Sequence, residues 1–270
     1  MMTKKQSLMI GSLCLLFLAS IFTYFLPFPF LIESDFYQMV YLLMSATPLL
    51  GSFYVLKCYG VKSSQGKIFT LISMAFLFLF IGEFLWTIFI FMGIDPYPSA
   101  ADYFYILFYP LLFLALMRQL KVTNIDWRFK SLFLKVIMVA FALVLMGLVG
   151  YFGVYVAYDS QLSFIENAVA IAYGIGDLIL ILLAFFVLKM ADEFKGGRLF
   201  VAWLMFSVAL FITLIADIGF AIYTVPYEES VLWALRTMDL FWVASFLVFA
   251  GSLFSLGNIV KDAQQKALIK

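Results

Sequence analysis

The sequence predicts an all-α polytopic membrane protein with eight transmembrane helices, and three observations support this prediction. The chain of 270 residues is 66% hydrophobic and only 12% charged, whereas about a quarter of the residues in a soluble domain are charged. Eight apolar runs reach the length of about 20 residues that a bilayer-crossing helix needs. Lysine and arginine fall at alternate breaks between these runs. The composition excludes a soluble enzyme, a nucleic-acid-binding protein and a disordered chain.

The eight apolar runs follow one another with only short polar breaks. They cover residues 8–31, 36–56, 68–93, 100–117, 131–157, 164–188, 199–224 and 230–256. The runs are continuous rather than alternating, which excludes a porin-like β-barrel. The first run is too long for a signal peptide and is interpreted as a retained helix. We therefore expect residues 1–270 to form a single membrane domain, with a short, basic, helical cytoplasmic tail over 257–270.

The charged residues outside the runs predict the orientation of the helices. Every lysine and arginine except Arg236 lies near a chain end or near the second, fourth or sixth break. The charged residues of the other breaks are all acids. Basic residues mark the cytoplasmic side of a membrane protein. We therefore expect both termini to be cytoplasmic and the protein to lie in the cell membrane.

The two halves of the chain resemble each other and are predicted to be four-helix repeats, over 8–126 and 131–256. In each half, two helices carry an acid followed three positions later by an aromatic residue, a spacing that places both on one helix face. These pairs are Glu83/Trp86, Asp102/Tyr105, Asp217/Phe220 and Asp239/Trp242. Because four spans are an even number, the repeats would be parallel and related by an axis along the membrane normal.

Several charged residues lie inside the predicted spans. They are Glu83, Asp102, Asp177, Asp217, Asp239 and Arg236. A charge in the bilayer costs several kcal/mol, so these side chains should face the interior of the bundle. At about 1.5 Å per residue, all of them except Asp177 lie in the outer half of the membrane. The guanidinium of Arg236 can neutralise one carboxylate and leaves the others uncompensated. Protons, water or a bound cation must therefore compensate the remaining carboxylates.

These positions predict an acidic, aromatic-lined cavity that is open to the outer side and binds a small ligand. The predicted ligand-binding residues are Glu83, Trp86, Asp102, Tyr105, Asp217, Arg236, Asp239 and Trp242. The indole rings could contact a cation through their faces. Two simpler interpretations stay open, namely that Asp102 forms a capping box with Ser99 and that Arg236 and Asp239 form a structural ion pair.

The residues favour a non-enzymatic protein without a cofactor or a metal. The chain has no histidine, and Cys14 and Cys58 form no metal-binding motif. One local motif points elsewhere, because GIGD at 174–177 resembles the GxGD motif of intramembrane aspartyl proteases. That resemblance implies a catalytic pair of Asp177 and Asp217 that shares a proton. The alternative interpretation is that the small residues of this run let a neighbouring helix approach closely.

A second resemblance concerns the run PYPSAADYFYILFYPLLFLAL at 96–116. It is similar to a stretch in the multi-span membrane input regions of bacterial and archaeal signalling proteins, notably those with a C-terminal diguanylate cyclase (GGDEF) domain. The family positions would be Pro98, Asp102, Tyr105, Tyr109 and Pro110. The resemblance implies a sensor, and because no output domain follows residue 256, we expect a signalling partner protein.

Three hypotheses about function follow. The first is a sensor-like or small-ligand-binding membrane protein that uses the acidic, aromatic cavity. The second is a cation- or proton-coupled transporter, which the scarcity of polar residues in the inner halves of the spans disfavours. The third is a GxGD-type protease. The expected partners are the lipid bilayer, a small cationic ligand and a signalling protein, with no nucleic acid.

Overall fold

A computed structural model of the protein describes residues 4–25, 36–125, 132–224 and 232–269. Within these ranges all regular secondary structure is helical. The helices are α1 Lys4–Phe25, α2 Phe36–Tyr59, α3 Ser64–Phe91, α4 Ala100–Thr123, α5 Leu132–Leu148, α6 Phe164–Glu193, α7 Arg198–Thr224 and α8 Leu232–Ile269. Helix α5 continues into a π-helical stretch over Val149–Val156.

Seven of these helices, α2 to α8, are long and apolar enough to cross a membrane. The prediction of an all-α fold is therefore confirmed, and these seven helices are consistent with a polytopic membrane protein. In the part of α1 that the structure describes, the apolar stretch Gly11–Phe25 is shorter than a full span. The rest of the predicted first span, residues 26–31, lies outside the described ranges.

Two helices extend beyond the ends that hydropathy predicts. Helix α4 continues past residue 117 to Thr123, because Arg118 and Lys121 are good helix formers although they are charged. Helix α8 runs without a break to Ile269, so the predicted tail continues the last helix. Hydropathy marks where a helix leaves lipid, not where its backbone hydrogen bonds end.

Six helices form a closed ring. Helix α2 packs on α3, α3 on α4, α4 on α6, α6 on α7, α7 on α8 and α8 on α2. Helix α1 lies outside the ring against α2 and α8, and α5 lies outside it against α6. Most of the α5 surface is exposed and apolar, as expected for a helix that faces lipid.

Buried phenylalanine rings fill part of the ring interior. Phe76, Phe108, Phe206 and Phe249 are each at most 5% exposed. The Phe249 ring centroid lies 5.2 Å from that of Phe76 and 4.9 Å from that of Phe206. Edge-to-face ring pairs of this kind pack densely. We call these four residues the phenylalanine plug.

The two ends of the bundle differ in charge. At one end, called the basic end, α2 is joined to α3 and α6 to α7 by short turns, and exposed lysines are common. Gly60 and Gly196 take left-handed backbone conformations in these turns, with φ of 74° and 85°, which favours glycine because it has no Cβ. The opposite, acidic end holds Asp95 and Glu166. There Tyr97 donates its hydroxyl to the Glu166 carbonyl oxygen at 3.1 Å, which joins the α3–α4 loop to α6.

Candidate functional site

Glu83 is buried in α3 and receives phenol groups from the helices on both sides of it. Glu83 is only 7% exposed to solvent. The Tyr41 hydroxyl of α2 donates to Glu83 Oε1 at 3.4 Å, and the Tyr105 hydroxyl of α4 lies close enough to interact with this carboxyl group. Gly82 makes room for the Tyr105 ring, because a Cβ at residue 82 would lie 2.8 Å from it.

Asp102 has two roles, one at each carboxyl oxygen. The Ser99 backbone N–H donates to Asp102 Oδ2 at 2.6 Å, and the Ser99 hydroxyl accepts from the Ala101 N–H at 3.1 Å. The predicted capping box at the start of α4 is therefore confirmed. The second oxygen, Oδ1, accepts the Tyr173 hydroxyl of α6 at 2.6 Å. Asp102 thus begins α4 and also ties it to α6.

Asp177 of α6 and Asp217 of α7 lie close enough for their carboxyl groups to interact. The Tyr109 hydroxyl donates to Asp177 Oδ1 at 3.1 Å, and Trp242 Nε1 donates to Asp217 Oδ1 at 2.7 Å. In the described part of the chain, no N–H or side-chain hydroxyl donates to the buried Oδ2 of Asp217. A proton held between the two carboxyl groups satisfies this arrangement.

Arg236 turns toward aromatic residues rather than toward Asp239. Its guanidinium lies 5.7 Å from the centre of the Tyr37 ring, and Nη1 donates to the Tyr24 carbonyl oxygen at 3.4 Å. The buried Nε has no hydrogen-bond partner within the described ranges. Arg236 acts on Asp239 electrostatically, but the ion pairs between described residues do not include these two side chains. The interpretation of Arg236 and Asp239 as a structural ion pair is therefore wrong.

The predicted acids lie on five successive helices of the ring, namely α3, α4, α6, α7 and α8. We call Glu83, Asp102, Asp177, Asp217 and Asp239 the carboxyl cluster. Asp239 interacts electrostatically with Glu83, and the Tyr173 hydroxyl of α6 donates to Asp102 of α4. The cluster therefore extends across the ring from α8 and α3 to α4, α6 and α7.

The aromatic residues of the predicted pairs lie in the same group, but they act between helices. The Trp86 and Tyr105 ring centroids are 6.4 Å apart, and those of Phe220 and Trp242 are 5.4 Å apart. Trp242 shares α8 with Asp239, yet its indole N–H donates to Asp217 of α7. The spacing of three residues therefore places each aromatic residue near the cluster, but it does not determine which acid that residue contacts.

Sequence reasoning missed most of the tyrosines that hold the carboxyl groups. Tyr41 and Tyr173 were not predicted as site residues. Tyr109 was named only as a position shared with the membrane input regions of signalling proteins, not as a ligand-binding residue. Tyr24 and Tyr37, which face Arg236, were also missed. An available indication was the position of Tyr41, Tyr109 and Tyr173 well inside apolar runs rather than in an interfacial belt.

Within the described ranges, no three acid or cysteine side chains come together as a group that could hold a metal ion. The glycines of GIGD have a packing role, since a Cβ at Gly176 would lie 2.6 Å from the Tyr109 ring.

No protein-family model, no curated protein and no solved structure matches this chain. The function is therefore inferred from the geometry of the site.

Proposed function

We propose that this protein is a sensor-like membrane protein that binds a small cation in the carboxyl cluster, near the acidic end of the bundle. One observation carries the proposal. Five carboxyl groups lie inside the helical ring, and the one guanidinium beside them is turned toward Tyr37 and the backbone of Tyr24. Buried carboxylates without counter-charges are strongly unfavourable, so a cation or protons must compensate them.

Aromatic rings next to the acids favour an organic cation as the ligand. The edge of the cluster already holds a cation against a ring, because Arg236 lies over Tyr37. Trp86 and Trp242 add large rings beside Glu83 and Asp217. A cation without hydrogen-bond donors would gain from both the carboxylates and the ring faces.

The proposed architecture is eight spans in two parallel four-helix repeats, with both termini cytoplasmic in the cell membrane. The surroundings of two acids support the repeats. Glu83 of α3 receives its partners from α2 and α4, and Asp217 of α7 receives its partners from the corresponding helices α6 and α8. The order of helices around the ring has the same two-fold pattern. Ligand-driven movement of the helices would then reach the basic end, where a signalling partner would bind.

The phenylalanine plug favours a sensor over a transporter. Phe76 and Phe249 lie in edge-to-face contact, and both are almost completely buried. They belong to α3 and α8, the helices that also carry Glu83 and Asp239. A transported ion would have to pass these rings, which contain no polar group to replace its water.

An intramembrane aspartyl protease, the third hypothesis above, is the other candidate, because the carboxyl groups of Asp177 and Asp217 lie close enough to interact, as a shared proton requires. Tyr109 and Trp242, however, each occupy one oxygen of the pair. A catalytic pair must instead hold a water molecule that can reach the substrate. The purified protein should therefore leave fluorogenic transmembrane peptides intact. Cleavage that Asp177→Asn and Asp217→Asn each abolish would establish the protease instead.

The ligand proposal is tested by thermal unfolding of the purified protein in a non-ionic detergent with tetramethylammonium and choline. We expect either cation to raise the unfolding temperature of the wild type, and Asp217→Asn to remove most of that rise. The control is Asp95→Asn, which removes an exposed carboxylate at the acidic end but keeps an oxygen for the Tyr97 N–H. Equal stabilisation of the wild type and Asp217→Asn, or stabilisation of neither, would contradict the proposal.

A further inference from the structure

A second cavity lies at the basic end of the bundle, away from the carboxyl cluster. Its volume is about 280 Å³, close to the lower limit of roughly 300 Å³ for pockets that hold a small ligand. The ends of α2, α4 and α6 and the starts of α3 and α7 surround it. The side chains that line it include Tyr59, Gln65, Val122, Phe194, Leu199 and Trp203. The cavity therefore has room for a single ring.

Trp203 of α7 presents a hydrogen-bond donor to this cavity. The residue is only 3% exposed, and its ring packs against Phe69 and Phe206 at centroid distances of 6.5 Å and 5.7 Å. Its indole N–H donates to no described residue, yet the nitrogen is not one of the fully buried polar atoms that lack a partner. Because the cavity is the open space that Trp203 borders, this N–H opens to it. The cavity therefore fits a ligand that brings a hydrogen-bond acceptor.

Two more polar side chains and a fixed aromatic wall border the same space. The Tyr59 hydroxyl and the Gln65 amide belong to lining residues, and each can donate or accept a hydrogen bond. The Tyr59 ring stacks on Phe69 at a centroid distance of 5.5 Å and an interplanar angle of 15°. Phe69 is only 1% exposed and also contacts Trp203. Because one buried ring holds both lining rings, the wall is formed before a ligand arrives, which lowers the entropic cost of binding.

The chemistry of the lining selects a neutral, flat ligand. No acidic or basic side chain is among the described residues that line the cavity. An ion in this space would lack a counter-charge, so the ligand should be neutral. Tyr59, Phe194 and Trp203 contribute aromatic rings, against which a flat ring packs well. A carbonyl oxygen on such a ring supplies the acceptor that the indole N–H requires.

We propose that the cavity at the basic end binds a neutral planar ring whose carbonyl oxygen accepts a hydrogen bond from the Trp203 indole N–H. Tyr59 would flank the ring, and Gln65 is available for a second oxygen. Two sources supply this chemistry at a membrane surface, namely the ring of a lipid-soluble quinone and a water-soluble carbonyl heterocycle. The site is separate from the carboxyl cluster, so it does not depend on the function proposed above.

The first test compares two probes that differ in their carbonyl oxygens. Duroquinone and durene each have one six-membered ring with four methyl groups, but only duroquinone has carbonyl groups. Saturation-transfer difference NMR of the protein in a deuterated non-ionic detergent gives the Kd of each, and 1,3-dimethyluracil is titrated separately as the water-soluble probe. We expect duroquinone to bind about five- to tenfold more tightly than durene if the source is a quinone. Binding of dimethyluracil alone would identify the heterocycle as the source.

Substitutions then assign the binding to this cavity. Trp203→Phe keeps a ring against Phe69 and removes the N–H, so it should abolish the preference for duroquinone over durene and weaken dimethyluracil by a similar factor. Trp86→Phe, beside the carboxyl cluster, is its control and should preserve the preference. Tyr59→Ala removes part of the aromatic wall and should weaken every probe that binds, whereas Tyr151→Ala, at an exposed position, should not.

The unfolding temperature of each variant without a probe shows whether it is folded. If neither carbonyl probe binds, or if durene binds as tightly as the carbonyl probes, the proposal is wrong. It is equally wrong if folded Trp203→Phe keeps the preference for the carbonyl group, or if folded Tyr59→Ala binds the probes as tightly as the wild type does.

Discussion

Replacing Trp242 by phenylalanine tests whether the carboxyl cluster is held by donors from neighbouring helices. The substitution keeps an aromatic ring beside Phe220 and removes one N–H. That N–H donates to Asp217 Oδ1 at 2.7 Å. Among the described residues, no N–H or side-chain hydroxyl donates to Oδ2 of the same carboxyl group. The variant therefore removes the hydrogen bond that the structure shows at this carboxyl group.

The expected loss of stability is about 1–2 kcal/mol. Hydrogen bonds between helices in membrane proteins contribute about 0.6 kcal/mol on average and up to about 1.7 kcal/mol. Hydrogen bonds to charged groups contribute about 1.5–3 kcal/mol. Because the Trp242–Asp217 distance is short and the acceptor is buried, we expect this bond to contribute near the upper end of the values for hydrogen bonds between helices. That is also near the lower end of the values for hydrogen bonds to charged groups.

The assay is the free energy of unfolding of the purified protein in micelles, measured by denaturant titration. Trp86→Phe is the matched control, because Trp86 contacts the Tyr105 ring but its indole N–H donates no hydrogen bond to a described residue. A double variant with Asp217→Leu, which removes both carboxyl oxygens, completes a thermodynamic cycle that isolates the pair. If Trp242→Phe costs no more than Trp86→Phe, or if the two substitutions add independently, the hydrogen bond does not stabilise the cluster.

Three further substitutions test the packing around the cluster by the same unfolding assay. Tyr109→Phe should cost about 1 kcal/mol, because Asp177 loses a donor at 3.1 Å; an unchanged free energy would contradict this. Gly176→Ala should cost about 1–3 kcal/mol, because its Cβ would lie 2.6 Å from the Tyr109 ring. Its control is Gly147→Ala, whose Cβ would meet no atom within 4 Å, so this substitution should be neutral or stabilising. Ser99→Ala should cost about 1 kcal/mol by removing the cap of α4. A loss smaller than about 0.5 kcal/mol, the lower limit for such a cap, would show that the Asp102 contacts suffice.

The sequence predicted the helices well because lipid imposes a simple rule on them. A stretch such as 68–93 has to be helical and long if it is to cross a bilayer, and α3 is found over Ser64–Phe91. The burial of Glu83 and Asp102 followed from the same rule, since a charge facing lipid is too unfavourable. The Ser99 capping box was predictable because it depends only on local spacing.

The contacts within the site were not predictable because they depend on which helices become neighbours. Trp242 was assigned to Asp239 by their spacing, but packing of α8 on α7 gives its N–H to Asp217. Tyr41 and Tyr173 became part of the site for the same reason, since each reaches an acid on another helix. Periodicity along one helix identifies a face, and only the packing of the ring decides what that face meets.

The most direct test of the account is the affinity of the protein for tetramethylammonium, measured by isothermal titration calorimetry with the wild type and Glu83→Gln. Glu166→Gln is the control, because it removes a carboxylate of the acidic end that belongs to the α6 cap rather than to the cluster. We expect tetramethylammonium to bind the wild type and the control, with a Kd about tenfold or more higher in Glu83→Gln. Equal affinity in all three proteins, or no binding to the wild type, would contradict the claim that the carboxyl cluster is a cation site.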